Sequence, residues 1–374
     1  MTITFAVVGL HGYGAQHLGQ INELAEAGRA RLVGVADPRG GEGARNLPEG
    51  TAVYSDLDAL LAEVTPDVVT LATPIHTHLP LAERAMRAGA HVLLEKPTTA
   101  SLAEFERLVQ VSDETGRAVQ IGFQSFGSHA FERIAEIVTS GRIGEVRGIG
   151  GLGLWRRARS YYDRSRWAGQ RRLDGVEVVD GAVTNPLAHS IASALRIDGS
   201  SRAEDVAEVV VDLYHANDIE ADDTSAVRLL TTKGTPIALG LTLAAEEPDT
   251  KPRVLVHGSE GTIEFRYTTD VLVVRTAAGE ETEEVGRTGL FVNLLDHLEH
   301  GAPLLADVRD TGAFMRVLEA VRTAPDPTQV PDDCFTQVGE GPDSYRVIHG
   351  VDDWCRRVAT ELATFSELGA PWTR

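Results

Sequence analysis

The chain has 374 residues, 43% hydrophobic and 24% charged, which suits a globular protein of two domains better than a single core. Its formal net charge of -20 excludes the basic face that nucleic-acid binding requires, so we expect no nucleic-acid partner. With 2 cysteines and no apolar run of the roughly 18 residues that a membrane span needs, the sequence predicts a cytoplasmic protein with no disulfide framework and no membrane partner.

The first third of the chain alternates short β-branched runs with helical patterns. The predicted strands are residues 5–8, 32–36, 68–72, 91–94 and 119–123. The predicted helices lie between them, near residues 15–27, 57–64, 79–88 and 102–115. This alternation is typical of βαβ units, so we expect a parallel sheet and a Rossmann domain over residues 1–123.

Beyond residue 123 the predicted strands follow one another without helices between them. They are residues 147–154, 206–214, 225–231, 237–244, 254–257, 262–265 and 271–275, after a first helix at 129–139. Such a run predicts an α+β domain over residues 124–340 with a large, mostly antiparallel, open sheet. Two further helices are predicted at 290–300 and 310–322, a proline-rich linker at 325–331 and a terminal helix at 345–365. We expect this helix, in segment 341–374, to pack back on the body.

A glycine loop joins the first predicted strand to the first helix, where residues 9–14 read Gly-Leu-His-Gly-Tyr-Gly. The Rossmann fingerprint uses glycines for a tight turn, close approach to pyrophosphate and helix–strand packing. Gly9 and Gly14 fill the first and third places. His11 fills the second, where a Cβ obstructs the pyrophosphate, but a turn shifted by one residue would let Gly12 supply the space. We expect these four residues and Tyr13 to contact the cofactor.

The second predicted strand ends in Asp37, at about the 20-residue spacing where an acidic residue meets the ribose hydroxyls. Because a carboxylate repels a 2′-phosphate, Asp37 favours NAD as the cofactor. Arg39, two residues later, leaves NADP open.

Residues 95–97, Glu-Lys-Pro after the fourth predicted strand, resemble the EKP motif of the Gfo/Idh/MocA oxidoreductases. Residues 73–74 with His78, residues 122–124 and residues 140–144 resemble other motifs of that family, in the same order. The resemblance implies that Lys96 lies beside the nicotinamide and the substrate. It also implies cofactor contacts from Thr73, Pro74, His78 and Glu95, and a substrate contact from Gln124.

The family's second motif is an aspartate followed four residues later by a histidine. Here His189 matches the histidine, while Asn185 takes the place of the aspartate. Helical spacing puts the two side chains on one face, so the resemblance implies that both meet the substrate. Asn185 before Pro186 is also a good helix N-cap, with or without a substrate contact. Since asparagine carries no proton, acid–base work falls to His189, Lys96 or both.

Segment 155–172 concentrates arginines and aromatic residues in an otherwise acidic chain, and resembles a YYxRxxWAG segment of one branch of the family. Aromatic rings stack on sugar faces, and arginine forks bind carboxylates. We therefore expect substrate contacts from Arg156, Tyr162, Arg164 and Trp167, and a substrate with a carboxylate or several hydroxyls. A surface loop or a dimer contact is the alternative.

The resemblance implies hydride transfer between a nicotinamide and a secondary alcohol of a sugar, cyclitol or sugar derivative, in a homodimer or homotetramer. Lys96 and His189 are the implied proton-transfer groups. One alternative is a glycoside-cleaving enzyme that uses transient oxidation and elimination. A second is a non-enzymatic dinucleotide-binding regulator, which would need neither Lys96 nor His189. The histidines and acids lack metal-ligand spacing, so we expect no metal.

Overall fold

The computed structural model describes residues 2–374 and divides them into two compact units. The first unit contains the residues up to Gly127 together with Thr288–Thr311, and the second contains Ser128–Arg287 and Gly312–Arg374. This division differs from the predicted one, which ended the first domain at residue 123 and left helix 290–300 in the second.

The first unit is built on six parallel strands in the order β3-β2-β1-β4-β5-β6. The order reverses between β1 and β4, which is where dinucleotides bind in Rossmann folds. The predicted α/β fold is confirmed, with one short strand, β3, added. The elements are β1 (Ile3–Val8), α1 (Gly14–Glu26), β2 (Ala30–Ala36), β3 (Val53–Tyr54), α2 (Leu57–Glu63), β4 (Val68–Leu71), α3 (His78–Arg87), β5 (His91–Leu94), α4 (Leu102–Thr115) and β6 (Val119–Ile121).

After β6 the chain forms a helix, then mainly strands, then mainly helices. The elements are α5 (Ala130–Thr139), β7 (Val146–Leu154), α6 (Arg159–Tyr162), β8 (Arg172–Leu173), β9 (Val176–Glu177), α7 (Ala188–Asp198), β10 (Val206–His215), β11 (Thr224–Thr231), β12 (Pro236–Thr242), β13 (Arg253–Gly258), β14 (Gly261–Arg266), β15 (Val271–Thr276), β16 (Gly279–Glu284), α8 (Leu290–His300), α9 (Gly312–Thr323), β17 (Thr328–Gln329), β18 (Phe335–Val338), β19 (Tyr345–Ile348), α10 (Val351–Glu361) and α11 (Phe365–Leu368).

The second unit contains a nine-stranded sheet in the order β16-β15-β14-β13-β7-β12-β11-β10-β17. Only the β7–β12 and β10–β17 pairs are parallel, so the predicted mostly antiparallel sheet is confirmed. Helix α10 packs on its central strands so closely that a Cβ at Gly150 would overlap the carbonyl of Ala359, and one at Gly240 would overlap Cys355. These glycines are therefore required by the approach of the helix.

Two predictions near the C-terminus are wrong. Residues 345–365 do not form one helix, because Tyr345–Ile348 pairs as β19 with β18, and α10 starts after Gly350 in a left-handed conformation (φ 68°). The predicted linker at 325–331 contains β17, which pairs with β10 at the sheet edge. A two-residue edge strand between prolines leaves no sequence period to detect.

Helix α8 belongs to the first unit because its apolar face completes that core. Phe291 and Leu294 are buried there, and the ring of Phe291 lies 6.1 Å from that of Phe5, centroid to centroid. The side-chain oxygen of Asn293 accepts a hydrogen bond of 3.1 Å from the Gln120 side-chain amide of β6. Helix α8 is therefore an integral part of the Rossmann unit.

Candidate active site

The predicted cofactor residues of the first unit collect at the carboxyl ends of its parallel strands. Gly9 follows β1, Asp37 follows β2, Thr73 and Pro74 follow β4, and Glu95 follows β5. This edge of the sheet is where ligands bind in open α/β folds.

The glycine loop shows why its glycines are needed. Gly9 has φ 85°, and an added Cβ would overlap the carbonyl of Ala72, while a Cβ on Gly14 would overlap the carbonyl of Gly9. Gly12 is also left-handed (φ 60°), but an added Cβ there meets nothing within 4 Å. The space beside Gly12 is therefore open, as the shifted turn requires.

The N-terminus of α1 offers an anion-binding position. Tyr13 precedes the helix without capping it through its side chain, and the first turn has no acidic residue. The backbone N–H groups and the helix dipole therefore favour a negatively charged group at this end. This arrangement fits the pyrophosphate of a dinucleotide.

Asp37 is buried and joins the end of β2 to the glycine loop. Its carboxylate accepts hydrogen bonds from the backbone N–H of Leu10 at 3.0 Å and that of Arg39 at 2.9 Å. Burial acts to raise the pKa of Asp37, but these hydrogen bonds and the Arg39 guanidinium outweigh it and hold the pKa below its usual value. The His11 ring, 4.0 Å from the same carboxylate, is a neighbour that the sequence did not reveal.

We expect NAD to bind more tightly than NADP. Asp37→Ala should reduce the ratio of the two affinities by about tenfold, equivalent to ~1.4 kcal/mol. The carboxylate that repels a 2′-phosphate is lost in this variant. Asp37→Asn is the matched control, since it removes the charge but keeps an oxygen that can accept the hydrogen bond from the Leu10 backbone N–H. Fluorescence titration with both cofactors measures the ratio, and equal affinities in the unmodified protein would rule out this role for Asp37.

Glu95 is an internal anchor at the end of β5. One carboxylate oxygen accepts hydrogen bonds from the His17 ring at 3.1 Å and the Gln124 amide at 3.3 Å. The other accepts from the backbone N–H of Lys96 at 3.2 Å, and a Cβ on Gly122 would come within 2.6 Å of the carboxylate. Glu95 thereby holds the backbone of Lys96. His17 was missed by sequence reasoning, and its only signal was its position one turn after Gly14.

His78 is 1% exposed, and both ring nitrogens contact protein carbonyls. Nδ1 lies 2.9 Å from the Pro97 oxygen and Nε2 lies 2.9 Å from the Thr73 oxygen, so the ring joins the loops after β4 and β5. Burial lowers the pKa of His78. His78 therefore supports the two loops through its ring nitrogens, and its predicted contact with the cofactor stays a prediction.

In the second unit, the predicted N-cap at Asn185 is wrong. Helix α7 begins at Ala188, and Leu187 precedes it without a side-chain cap. The backbone N–H of Asn185 instead donates to the Gly181 carbonyl at 3.0 Å, in the turn before the helix. Its side-chain amide donates to the carboxylate of Asp180.

His189 is the second residue of α7. Its ring stacks on that of Tyr267, with centroids 6.2 Å apart and planes 24° apart. The Tyr267 hydroxyl is in turn 2.8 Å from the hydroxyl of Ser190, and burial raises the pKa of Tyr267 above its usual range. His189 is therefore presented by a helix and packed against a buried tyrosine.

Two arginines predicted to bind substrate are engaged within the second unit. Arg164 pairs with Asp180 at 3.1 Å and stacks on Tyr161 at 3.8 Å. Arg156 donates to the Ala245 carbonyl at 2.8 Å and stacks on Tyr345 at 4.7 Å. These contacts hold segment 155–172 in place, and the substrate contacts predicted for the two arginines stay predictions.

Some polar atoms of segment 155–172 lack hydrogen-bond partners. The Tyr162 hydroxyl and the Arg157 Nε–H are buried without a hydrogen-bond partner. Burial, followed by the charge of Asp223, raises the pKa of Tyr162 well above its usual value, so its hydroxyl keeps its proton. Trp167 lies under the Arg164 guanidinium, 4.7 Å from its ring centroid. The Arg157 guanidinium stacks on the rings of Trp155 and Tyr161, but its unsatisfied Nε–H makes Arg157 a candidate that the sequence did not single out.

Within residues 2–374, no group of three or more histidine, cysteine, aspartate or glutamate side chains is arranged to hold a metal ion. No helix in the same range is long and apolar enough to cross a membrane.

Comparison with known proteins finds two family models along the chain. Residues 3–123 match the oxidoreductase family model with an NAD-binding Rossmann fold, and residues 131–264 match the GFO/IDH/MocA C-terminal domain. A dTDP-3,4-didehydro-2,6-dideoxy-alpha-D-glucose 3-reductase of Streptomyces violaceoruber is 37% identical over 30% of this chain and 33% of its own length. Inositol 2-dehydrogenase 2 of Saccharopolyspora erythraea is 32% identical over 39% of this chain and 43% of its own length. The chain thus spans less than half the length of these curated relatives.

Among solved structures, the WlbA dehydrogenase from Bordetella pertussis, in complex with NADH and UDP-GlcNAcA, has a TM-score of 0.69 and 24% identity. The match covers 86% of this chain and 95% of that one, which shows a shared fold. The two family models lie in order along the chain, and each falls largely within one of the two folded units. The chain therefore belongs to the GFO/IDH/MocA family of oxidoreductases, whose N-terminal domain is an NAD-binding Rossmann fold.

Proposed function

We propose that the protein is an NAD-dependent dehydrogenase that oxidises a secondary alcohol of a sugar, cyclitol or sugar derivative, or reduces the ketone in reverse. The observation that carries this proposal is the dinucleotide cradle of the first unit, in a chain that also has Lys96 and His189. A protein that only sensed the cofactor would need the cradle but not these two groups.

The chain's residues divide the work of the reaction. The glycine loop and the N-terminus of α1 hold the pyrophosphate, and the Asp37 carboxylate accepts hydrogen bonds from the ribose hydroxyls. When bound, NAD supplies the carbon that accepts a hydride. His189 or Lys96 accepts the proton of the substrate hydroxyl. The alcohol thereby loses one hydride and one proton and becomes a ketone. His11, Gly12, Tyr13, Thr73 and Pro74 complete the proposed cofactor contacts.

The proposed substrate is sugar-like because curated relatives are named for inositol and for a deoxysugar nucleotide. On the substrate side we propose contacts from Gln124, Tyr162, Trp167, Asn185 and His189. An aromatic face packs on the apolar face of a sugar ring, and Tyr162 keeps its hydroxyl proton to donate. From the composition we propose a cytoplasmic protein, and from the resemblance a homodimer or homotetramer.

Incubation with NAD and a panel of sugars, cyclitols, uronates and nucleotide sugars tests the proposed activity. We expect NADH and a ketone to form in equal amounts, measured by absorbance and mass spectrometry. Release of a sugar from a glycoside without net NADH would instead indicate transient oxidation and elimination. Binding of NAD without turnover of any compound would indicate a regulator.

A further inference from the structure

Asp180 is a buried carboxylate that contacts Asn185, the residue standing where the family has its aspartate. Asp180 is 6% exposed. One of its oxygens accepts a hydrogen bond from the Asn185 side-chain amide. The other accepts from the backbone N–H of Gly169 at 2.8 Å and from the Arg164 guanidinium at 3.1 Å. Position 185 has no acid, but the carboxylate of Asp180 lies in direct contact with the amide that replaces it.

This contact decides which way the Asn185 amide faces. An ionised carboxylate has only acceptors, so it must meet the NH₂ end of the amide. The Asn185 oxygen is thereby directed to the opposite side, as an acceptor. A hydrogen bond from the NH₂ group to a negative charge also polarises the amide and strengthens that oxygen as an acceptor.

The backbone before Asp180 is held in an unfavourable conformation. Val179 has φ 44°, and a β-branched residue in the left-handed region is strained. Such strain persists only where the surroundings enforce it, and it clusters at functional sites. Here the Val179 carbonyl accepts a hydrogen bond from the buried Thr184 hydroxyl. The turn around Asp180 is thus fixed from both sides, by Thr184 and by the Asn185 amide.

We propose that Asp180 is a positioning residue, which orients the Asn185 amide so that its oxygen accepts a hydrogen bond from the substrate hydroxyl. Asp180 and Asn185 together then replace the single aspartate of the family motif, with the negative charge moved one side chain away from the substrate. This inference rests on the proposed dehydrogenase function.

Three variants test the pair: Asp180→Asn, Asn185→Asp and the double exchange of both. In Asp180→Asn the new NH₂ group faces the Asn185 amide, which flips and presents a donor instead of an acceptor. We expect kcat/KM to fall about 10- to 100-fold, the effect of one charge-assisted hydrogen bond. In Asn185→Asp two carboxylates touch, so one keeps its proton and the pH profile gains a new limb. The double exchange restores one acid and one amide, and should recover at least about tenfold over either single variant.

Asp352→Asn is the matched control. Asp352 is 5% exposed in the same unit and accepts hydrogen bonds from two backbone N–H groups, those of Glu246 and Glu247. We expect this variant to lower the melting temperature but to leave the pH profile of kcat/KM unchanged. If Asp180→Asn behaves in the same way, or if the double exchange is no better than the single variants, the positioning role is wrong.

Thermal unfolding of the same variants separates this inference from the proposed function. Absence of turnover with every compound in the unmodified protein would contradict the dehydrogenase assignment. The contact would still show as non-additive shifts in melting temperature across the cycle, and additive shifts would contradict the pair itself. Should Asp180→Asn fail to fold, Asn185→Ala, which removes only the amide, must reproduce the predicted loss in kcat/KM.

Discussion

Replacing His189 with alanine is expected to lower turnover by about 10²- to 10⁴-fold, the usual cost of losing a general acid–base group. The imidazole is held on α7 against Tyr267, and an imidazole can accept and return a proton. Lys96→Ala is expected to cost a similar factor if the lysine shares the proton path. The two losses should not add in the double variant when the groups act as one unit.

Initial rates of alcohol oxidation across pH measure this effect. A base accepts the substrate proton only in its neutral form, so the rate should rise with pH as the histidine deprotonates. His300→Ala is the matched control, because the His300 side chain is 73% exposed at the end of α8. Near-full turnover of His189→Ala at every pH would leave Lys96 as the base.

Gly14→Ala is expected to abolish NAD binding, and Gly12→Ala is expected to weaken it strongly for a different reason. A methyl group on Gly14 overlaps the backbone carbonyl of Gly9, so the helix and the strand must move apart at the pyrophosphate position. A methyl group on Gly12 meets no protein atom within 4 Å, but it would occupy the space that the shifted turn leaves for the pyrophosphate. It also adds the cost of the left-handed conformation, about 1–2 kcal/mol. Fluorescence titration with NAD gives the affinities, and thermal unfolding shows whether each variant is folded.

His11→Gly extends the same experiment to the residue that departs from the fingerprint. With the open space at Gly12, we expect NAD affinity to stay within about tenfold of the unmodified protein, or ~1.4 kcal/mol. A larger gain in affinity would mean that the His11 side chain obstructs the pyrophosphate. Normal NAD binding by Gly14→Ala would contradict the assignment of this loop.

The parallel sheet could be predicted because each strand carries its own apolar run and each connecting helix its own period. Helix α8 shows the limit of such patterns. Its apolar face predicts burial but not which core it joins, so the sequence placed it in the same domain as the strands that precede it in the chain. The prediction of a helix over Tyr345–Ile348 was wrong for a local reason, because Gly350 separates this strand from the helix that follows.

The sequence indicated candidate residues in short motifs but not their buried partners. The Glu-Lys-Pro run marks Glu95, but the ring that anchors it, His17, lies 78 positions earlier. Asp180 is near Asn185 in sequence, yet only the folded turn brings its carboxylate to the amide. Spacing rules describe residues on one helix or strand. His17 lies on α1 whereas Glu95 follows β5, and Asp180 and Asn185 lie in an irregular turn.

The placement of α8 has a consequence for synthesis on the ribosome. The first unit takes Phe291, Leu294 and Leu295 into its core, although the chain passes through all of residues 128–287 before it makes them. The nucleotide-binding sheet therefore emerges with part of its apolar surface uncovered, and that surface remains exposed until most of the protein has been translated. A nascent chain stalled after β6 would present this face to other chains, which favours aggregation and binding by chaperones.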